Sequence, residues 1–169
     1  MNNIYEKLQE VTNFSHISSN YNALICDIWG VIHNGQELFA GINECLINYK
    51  DKNGVVILLS NAPRPSSYVK NVLNDLGLSE NCYDEIITSG DLTRKALNDK
   101  VFGDNCYHIG PKRDLNIFEG TEVTRVDFKD ADFLFITGLF NDEREDESDY
   151  IDLLNTAKER EMTLVCANP

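Results

Sequence analysis

Residues 23–35 read ALICDIWGVIHNG, and residues 55–65 read VVILLSNAPRP. Each stretch opens with a continuous apolar run and closes with polar residues beside glycine or proline. Short apolar runs of this kind are typical of parallel strands that are buried on both faces. We therefore predict two neighbouring strands, over 23–27 and 55–59, with polar side chains at their carboxyl ends.

Helical patterns separate the apolar runs along the chain. The segment 41–53 and the segment after Pro65 carry apolar residues at three- and four-residue intervals, and Gly54 and Gly77 stand where these helices should end. A helix is also predicted over 1–12. Further short strands are predicted over 85–88, 106–109, 122–126, 132–137 and 163–167, and further helices over 91–98 and 148–160. Strands that alternate with helices indicate βαβ units, so the predicted fold class is α/β with a parallel sheet.

Composition and charge narrow the class of protein. The chain has 169 residues, of which 42% are hydrophobic and 25% are charged, as in ordinary globular proteins. Its net charge of −13 argues against a nucleic acid or an anionic membrane as partner, because both bind cationic surfaces. Five cysteines without a CxxC pair, and a polar beginning unlike a secretory signal, predict free thiols and a cytoplasmic location.

Polar residues at the two strand ends mark a candidate site. Ligands bind open α/β sheets at the carboxyl ends of the strands. Asp27 is placed there to attack a substrate or to hold a metal, although an Asp after a strand is as often a simple turn cap. Ser60 and Asn61 could hold the same anion, and Gly30 would let the backbone approach it.

The two stretches resemble motifs I and II of the haloacid-dehalogenase-like (HAD) superfamily of hydrolases. The order of elements is similar to class IIA, whose α/β cap is inserted after the third core strand, and EIITSGDLTRKAL (85–97) and LVCANP (164–169) also look like that class. The resemblance implies a Rossmann-like parallel sheet core with part of an inserted α/β cap. We expect an N-terminal helix and linker over 1–20, the N-terminal part of the core over 21–90, and an incomplete cap over 91–169.

The resemblance also implies roles for particular residues. Asp27 would be the nucleophile that forms an aspartyl-phosphate, and Asp27 with the main-chain carbonyl of Trp29 would bind Mg²⁺. The segment 31–40 would be a flap over the site. Phosphate binding is expected from Trp29, Gly30, Ser60 and Asn61, and contacts with the rest of the substrate from Arg64 and Asn168. For Arg64 the alternative is a surface ion pair.

Trp29 departs from the family pattern. Phosphatases of this superfamily usually carry a second Asp at that position as the general acid and base, and an indole cannot transfer that proton. His33 in the flap is a candidate substitute for this acid, with a turn-stabilising role as the alternative. Three hypotheses therefore stay open: a Mg²⁺-dependent phosphatase acting on a small phosphorylated metabolite, a metal-independent hydrolase similar to the dehalogenases, and a non-catalytic binding or regulatory protein.

The end of the sequence is the second departure. Class IIA proteins continue past the Asn-Pro pair and return to the core with a Lys and an acidic metal motif, for which we find no counterpart here. We therefore expect this sequence to be the N-terminal portion of a HAD protein, with little or no turnover as it stands. An incomplete core leaves apolar surface uncovered, so we also expect self-association.

Overall fold

The computed structural model describes residues 11–168, in which helices and strands alternate. The helix predicted over 1–12 falls almost entirely outside the described residues. The strands are β1 (Ala23–Asp27), β2 (Val55–Ser60), β3 (Glu85–Thr88), β4 (Asn105–Ile109), β5 (Thr124–Arg125), β6 (Phe133–Ile136) and β7 (Thr163–Cys166). The α-helices are α1 (Ser15–Ser18), α2 (Ile42–Lys50), α3 (Ser66–Asp75), α4 (Ser89–Asn98) and α5 (Ile151–Glu159). Short 3₁₀ segments span Glu80–Cys82, Lys112–Phe118, Phe128–Asp130 and Glu147–Tyr150.

The first sheet consists of three parallel strands in the order β1-β2-β3. One of its faces packs against α2 and α3, because these helices turn Leu46 and Leu73 inward onto Leu58 and its neighbours. These contacts form a single hydrophobic core cluster on that face. The strands therefore alternate buried and exposed residues, as expected of a sheet with one covered face.

The opposite face of the first sheet is exposed. Ile25 is 67% exposed, and Leu59 and Ile87 on the neighbouring strands are also open to solvent. The apolar run of β1 predicts burial on both faces, and for this strand that prediction is wrong in the described chain. The reason is that α2 and α3 both pack on the same side, and no described helix covers the other.

The second sheet consists of four parallel strands in the order β5-β4-β6-β7. Its inner strand β6 is buried on both faces, because Phe133 and Phe135 belong to one hydrophobic cluster and Leu134 to another on the opposite side. The strand predicted over 132–137 is confirmed as β6. The strand predicted over 122–126 is reduced to the two residues of β5.

The parallel sheets with intervening helices confirm the α/β fold class. The first sheet lies within residues 23–88 and the second within 105–166, with α4 leading from one to the other. The domain limits at 20 and 90 stay predictions. All five cysteines are unpaired, and three of them (Cys26, Cys82 and Cys106) are buried. Among the described residues, no helix combines the length and the apolar character that crossing a membrane requires.

Candidate functional site

The carboxyl ends of β1 and β2 lie side by side at one edge of the first sheet. Asp27 is aligned with Leu59, so Ser60 is one residue further along the neighbouring strand, at a strand spacing of about 4.8 Å. Alternation along a strand places Ser60 on the covered face and Asp27 on the exposed face with Leu59. The two residues thus stand at neighbouring strand ends of one sheet edge, with their side chains on opposite faces of the sheet.

The turn after β1 is held by backbone hydrogen bonds. The carboxylate of Asp27 accepts a 2.7 Å bond from the N–H of Ile28, whose carbonyl in turn accepts the N–H of Ile32 at 2.8 Å. Gly30 has a φ of 79°, in the left-handed region that glycine tolerates, and its N–H donates to the His33 carbonyl at 2.8 Å. A phosphate could therefore use the Gly30 N–H only by sharing or displacing that bond.

Trp29 lies in the turn after β1, at the edge of the sheet where this strand ends. Its side chain is 68% exposed. The indole lies over the glycine turn of the predicted flap, since a Cβ on Gly35 would be 3.5 Å from its Nε1. An indole N–H can donate a hydrogen bond to an oxyanion, although it cannot act as a general acid or base. The position of Trp29 therefore suits anion binding or closure of the site, and not proton transfer.

His33 is buried in the predicted flap. Its Nδ1 accepts a 2.9 Å hydrogen bond from the N–H of Gly35, and burial lowers the pKa of the imidazole. The neutral ring therefore carries its proton on Nε2. This contact gives His33 the turn-stabilising role that is the alternative to the acid role, and the acid role stays a prediction.

The loop after β2 connects the first sheet to the second. The hydroxyl oxygen of Ser60 accepts the N–H of Ala62 at 3.1 Å. The amide nitrogen of Asn61 donates to the side-chain oxygen of Asn168 at 3.0 Å, and Asn168 donates to the Thr137 carbonyl at 3.5 Å. The structure thus joins two predicted site residues that are 107 positions apart in the sequence.

Arg64 forms an ion pair with a carboxylate that sequence reasoning missed. Its Nε donates to Asp114 Oδ1 at 3.0 Å, and Asp114 is only 3% exposed. The guanidinium also lies over the ring of Tyr68, with its central carbon 5.2 Å from the ring centroid. Asp114 gave no signal in the sequence, because it lies in a segment with the polar composition of an ordinary turn.

Close packing fixes the backbone at Arg64. The hydroxyl of Thr88 donates to the Arg64 carbonyl at 2.7 Å while it accepts the N–H of Asp91, which caps α4. A Cβ on Gly90 would lie 2.3 Å from the same carbonyl oxygen, so only glycine permits this approach. The start of α4 therefore sets the position of the loop that carries Asn61 and Arg64.

A cavity of about 510 Å³ opens between these elements. It brings together five predicted residues, which are Trp29, Ser60, Asn61, Arg64 and Asn168. Asp27 and Gly30 adjoin this cavity through the strand end and the turn, and they are not part of its lining. The segments that follow β4 and β6 add Arg113, Asp114, Thr137, Gly138 and Asp142 to the lining. Its two arginines pair with its two aspartates, Arg64 with Asp114 and Arg113 with Asp142, so the cavity carries no net charge.

The donor atoms near Asp27 bear on metal binding. Within residues 11–168, no cluster of three or more His, Cys, Asp or Glu side chains is arranged to hold a metal ion. Mg²⁺, however, commonly binds through one or two carboxylates and completes its octahedron with water and substrate phosphate. The carboxylate of Asp27 and the carbonyl of Trp29 fit that kind of shared site.

Comparison with known proteins identifies the family. A family model described as haloacid dehalogenase-like hydrolase matches residues 24–124. A haloacid dehalogenase-like hydrolase from Brucella suis is similar, at 37% identity and a TM-score of 0.85 over 92% of this chain. A possible sugar phosphatase from Cytophaga hutchinsonii shares the fold, at 20% identity and a TM-score of 0.73 over 92% of this chain.

A third structure also shares the fold. It is a glycerol phosphate phosphatase from Mycobacterium tuberculosis in complex with magnesium, at 20% identity and a TM-score of 0.61 over 90% of this chain. This chain spans 57% of the Brucella and Cytophaga proteins and 45% of the Mycobacterium protein. A search of curated proteins gave no match. The match over residues 24–124 and the Brucella structure together show that the chain belongs to the haloacid dehalogenase-like hydrolases.

Proposed function

We propose that this chain supplies the nucleophile and the phosphate-binding residues of a phosphatase that acts on a small phosphorylated metabolite. The observation that carries the proposal is the placement of Asp27 and Ser60 at neighbouring strand ends of one sheet edge, next to a cavity that Ser60, Asn61 and Arg64 line together with Asn168. Two relatives in fold are a possible sugar phosphatase and a glycerol phosphate phosphatase, which supports a phosphomonoester as substrate.

In the proposed reaction, a carboxylate oxygen of Asp27 attacks phosphorus and the ester P–O bond breaks. The phosphoryl group passes to Asp27, and the leaving alkoxide takes a proton from solvent water. A second water then attacks the phosphorus of the aspartyl-phosphate, which releases inorganic phosphate and a proton and regenerates the Asp27 carboxylate. The hydroxyl of Ser60 already accepts a bond from the Ala62 N–H, so its own proton remains available for a phosphoryl oxygen. The side-chain amide of Asn61 would hold a second phosphoryl oxygen.

Mg²⁺ belongs to this proposal as a cofactor. The carboxylate of Asp27 and the main-chain carbonyl of Trp29 would hold it, together with water and phosphate oxygens. The bound ion would supply charge neutralisation between the anionic nucleophile and the anionic substrate. Asp27 would otherwise approach a phosphate dianion against Coulomb repulsion.

Trp29 favours a second candidate, a non-catalytic binding domain. The indole lies at the cavity where the family's acid and base would stand, and general acid–base help is typically worth about 10²–10⁴-fold in rate. The proposed phosphatase is therefore slow or silent unless another group protonates the leaving alkoxide. A metal-independent hydrolase is the third reading, and turnover that survives EDTA would favour it.

Detection of the covalent intermediate tests the phosphatase proposal directly. We expect the purified protein, incubated with a panel of phosphomonoesters and Mg²⁺, to acquire a phosphoryl group on the peptide that contains Asp27, as read by mass spectrometry. Asp27→Asn should abolish the adduct, and Asp51→Asn, at the exposed end of α2, should leave it unchanged. An adduct that persists in Asp27→Asn would show that another residue is the nucleophile.

Replacing Trp29 separates the catalytic from the non-catalytic reading. Trp29→Asp places a carboxylate where the missing acid and base would stand, so phosphatase turnover should rise by about 10²–10⁴-fold. Trp29→Asn is the matched control, because it removes the indole without adding a titratable group. Equal and negligible turnover in both variants would favour the binding domain.

A further inference from the structure

We propose that Asp114 is a positioning residue, which holds the Arg64 guanidinium in the cavity so that its remaining N–H groups face an anionic ligand. The inference rests on the proposed function in one respect, since it assumes that the cavity receives a phosphate or a phosphate ester. It goes beyond that function by assigning a role to a residue of the second sheet unit.

Two contacts orient the guanidinium. Asp114 Oδ1 accepts the Nε–H at 3.0 Å, and the ring of Tyr68 lies against the guanidinium with 5.2 Å between ring centroid and central carbon. An arginine carries five N–H donors in a rigid plane, so the bond at Nε leaves the two terminal nitrogens to bind an anion. Because Asp114 holds one edge of the guanidinium plane and the ring of Tyr68 lies against one face, the two terminal nitrogens are held in one orientation.

Burial makes Asp114 effective in this role. Its side chain is 5% exposed, against 25% for that of Arg64, so the carboxylate is anchored while the cation still reaches solvent. The N–H of Asp114 donates to the Pro111 carbonyl at 3.0 Å, which fixes the start of the 3₁₀ segment around it. The rotamer entropy of Arg64 is therefore lost during folding, and a ligand does not have to restrict this side chain again.

The other arginine of the cavity provides an internal contrast. Arg113 pairs with Asp142, and both side chains are at least half exposed. An exposed pair of this kind holds its geometry weakly, because water competes for it and the side chains stay mobile. Asp142 therefore serves as the matched control: it has the same charge and lines the same cavity, and it lacks the burial.

The test is a titration of the purified protein with inorganic phosphate, followed by the arginine Nε–H signals in ¹H–¹⁵N NMR spectra. We expect a protected Arg64 Nε–H signal in the wild type that shifts on addition of phosphate. Asp114→Ala should lose this protection and weaken phosphate binding by about tenfold. Asp114→Asn, which keeps an acceptor for the Nε–H, should bind within about threefold of the wild type, and so should Asp142→Ala.

A double-mutant cycle shows whether Asp114 acts through Arg64. Arg64→Ala should weaken phosphate binding about as much as Asp114→Ala, and the combination should weaken it no further. Undiminished or tighter binding in folded Asp114→Ala would overturn the inference, because Asp114 would then only neutralise the cation. If Asp114→Ala fails to fold, Asp114→Asn provides the test. The inference would then be overturned if this variant binds phosphate while its Arg64 Nε–H signal is unprotected.

The same experiment separates this inference from the proposed function. If the wild type shows no phosphate-dependent shift at Ser60, Asn61 or Arg64, the proposed function and the inference both fail. If the wild type binds phosphate and Arg64→Ala binds it equally well, only the inference fails, because Arg64 then takes no part in anion binding.

Discussion

The two sheets of the molecule follow the same βαβ pattern and differ in how they are covered. The four-stranded sheet has a hydrophobic cluster on each face, and Phe133 and Leu134 of its inner strand β6 are completely buried on opposite sides. Among residues 11–168, the three-stranded sheet has a hydrophobic cluster on one face, and Ile25 and Leu59 are exposed on the other. Yet the three-stranded sheet contains Asp27, the candidate nucleophile, and Ser60, a candidate phosphate-binding residue.

This difference teaches that strand composition and strand burial are separate properties. The apolar runs of β1 and β6 look alike in sequence, and within the part of the chain that the structure describes, helices pack on both sides of β6 and on one side of β1. Parallel sheets occur almost entirely with both faces covered, so the face of the first sheet that residues 11–168 leave open differs from the usual arrangement. The second sheet should therefore be the more robust part of the molecule.

The largest expected effect is a paired truncation in the two sheets. Phe133→Ala removes a fully buried ring and should lower the free energy of unfolding by about 3–5 kcal/mol. Ile25→Ala removes a side chain that is 67% exposed and should cost less than about 1 kcal/mol. Urea unfolding followed by circular dichroism measures both, and equal costs would contradict the contrast between the sheets.

The free energy of unfolding should depend on pH through a histidine of the four-stranded sheet. His108 contacts Phe118 and Phe135, and burial, with a contribution from the positive charge of Arg125, lowers the pKa of His108 to about 4 from 6.5. The unfolded chain then binds the proton more tightly, so stability is complete above pH 6.5 and declines as the pH falls towards 4. The loss is at most about 3 kcal/mol.

Urea midpoints measured between pH 4 and pH 7 check this dependence. His108→Gln removes the titrating group and can keep a hydrogen bond to Thr137, whose hydroxyl lies 2.9 Å from the His108 Nε2. The pH slope of this variant should be shallower than that of the wild type. An unchanged slope would assign the acid sensitivity to carboxylates instead.

Adding one methyl group where the start of α4 contacts the loop after β2 should lower the stability of the protein. Gly90→Ala places a Cβ 2.3 Å from the Arg64 carbonyl oxygen, so the loop or α4 must move, at a cost of about 1–3 kcal/mol. Gly138→Ala is the control, because its Cβ would lie 3.5 Å from Pro111, an ordinary contact. Thermal unfolding compares the two variants. Equal melting temperatures would show that the loop after β2 adapts freely.

Substitutions on the exposed face of the three-stranded sheet should have the smallest effect on stability. They should instead change how copies of the chain associate. We propose that copies of this chain associate through the face that carries Ile25 and Ile87, since exposed apolar strands favour contact with another chain. Ile25→Lys should reduce the concentration-dependent mass seen by light scattering. Leu92→Lys, at a residue 66% exposed on α4, should not. A monodisperse monomeric wild type would contradict the proposal.

Local patterns in the sequence were enough to predict most elements of the fold. Strands β1, β2, β3, β4, β6 and β7 and helices α2 to α5 were predicted within a few residues, because apolar periodicity and glycine positions are local signals. The position of Asp27 and Ser60 at neighbouring strand ends was also predictable, because parallel strands bring their carboxyl ends to one edge, whereas their placement on opposite faces was not. The burial of β1 was not, since it depends on which helices pack on the sheet.

The amino-acid sequence alone established the α/β class, the family resemblance and the two polar strand ends, because each depends on neighbouring residues in the chain. Tertiary structure alone established the cavity, the link between Asn61 and Asn168, and the burial of Asp114 beneath Arg64. These features join residues that are 50 or more positions apart, and such contacts arise from the packing of one sheet unit against the other. No local pattern in the sequence predicts these contacts.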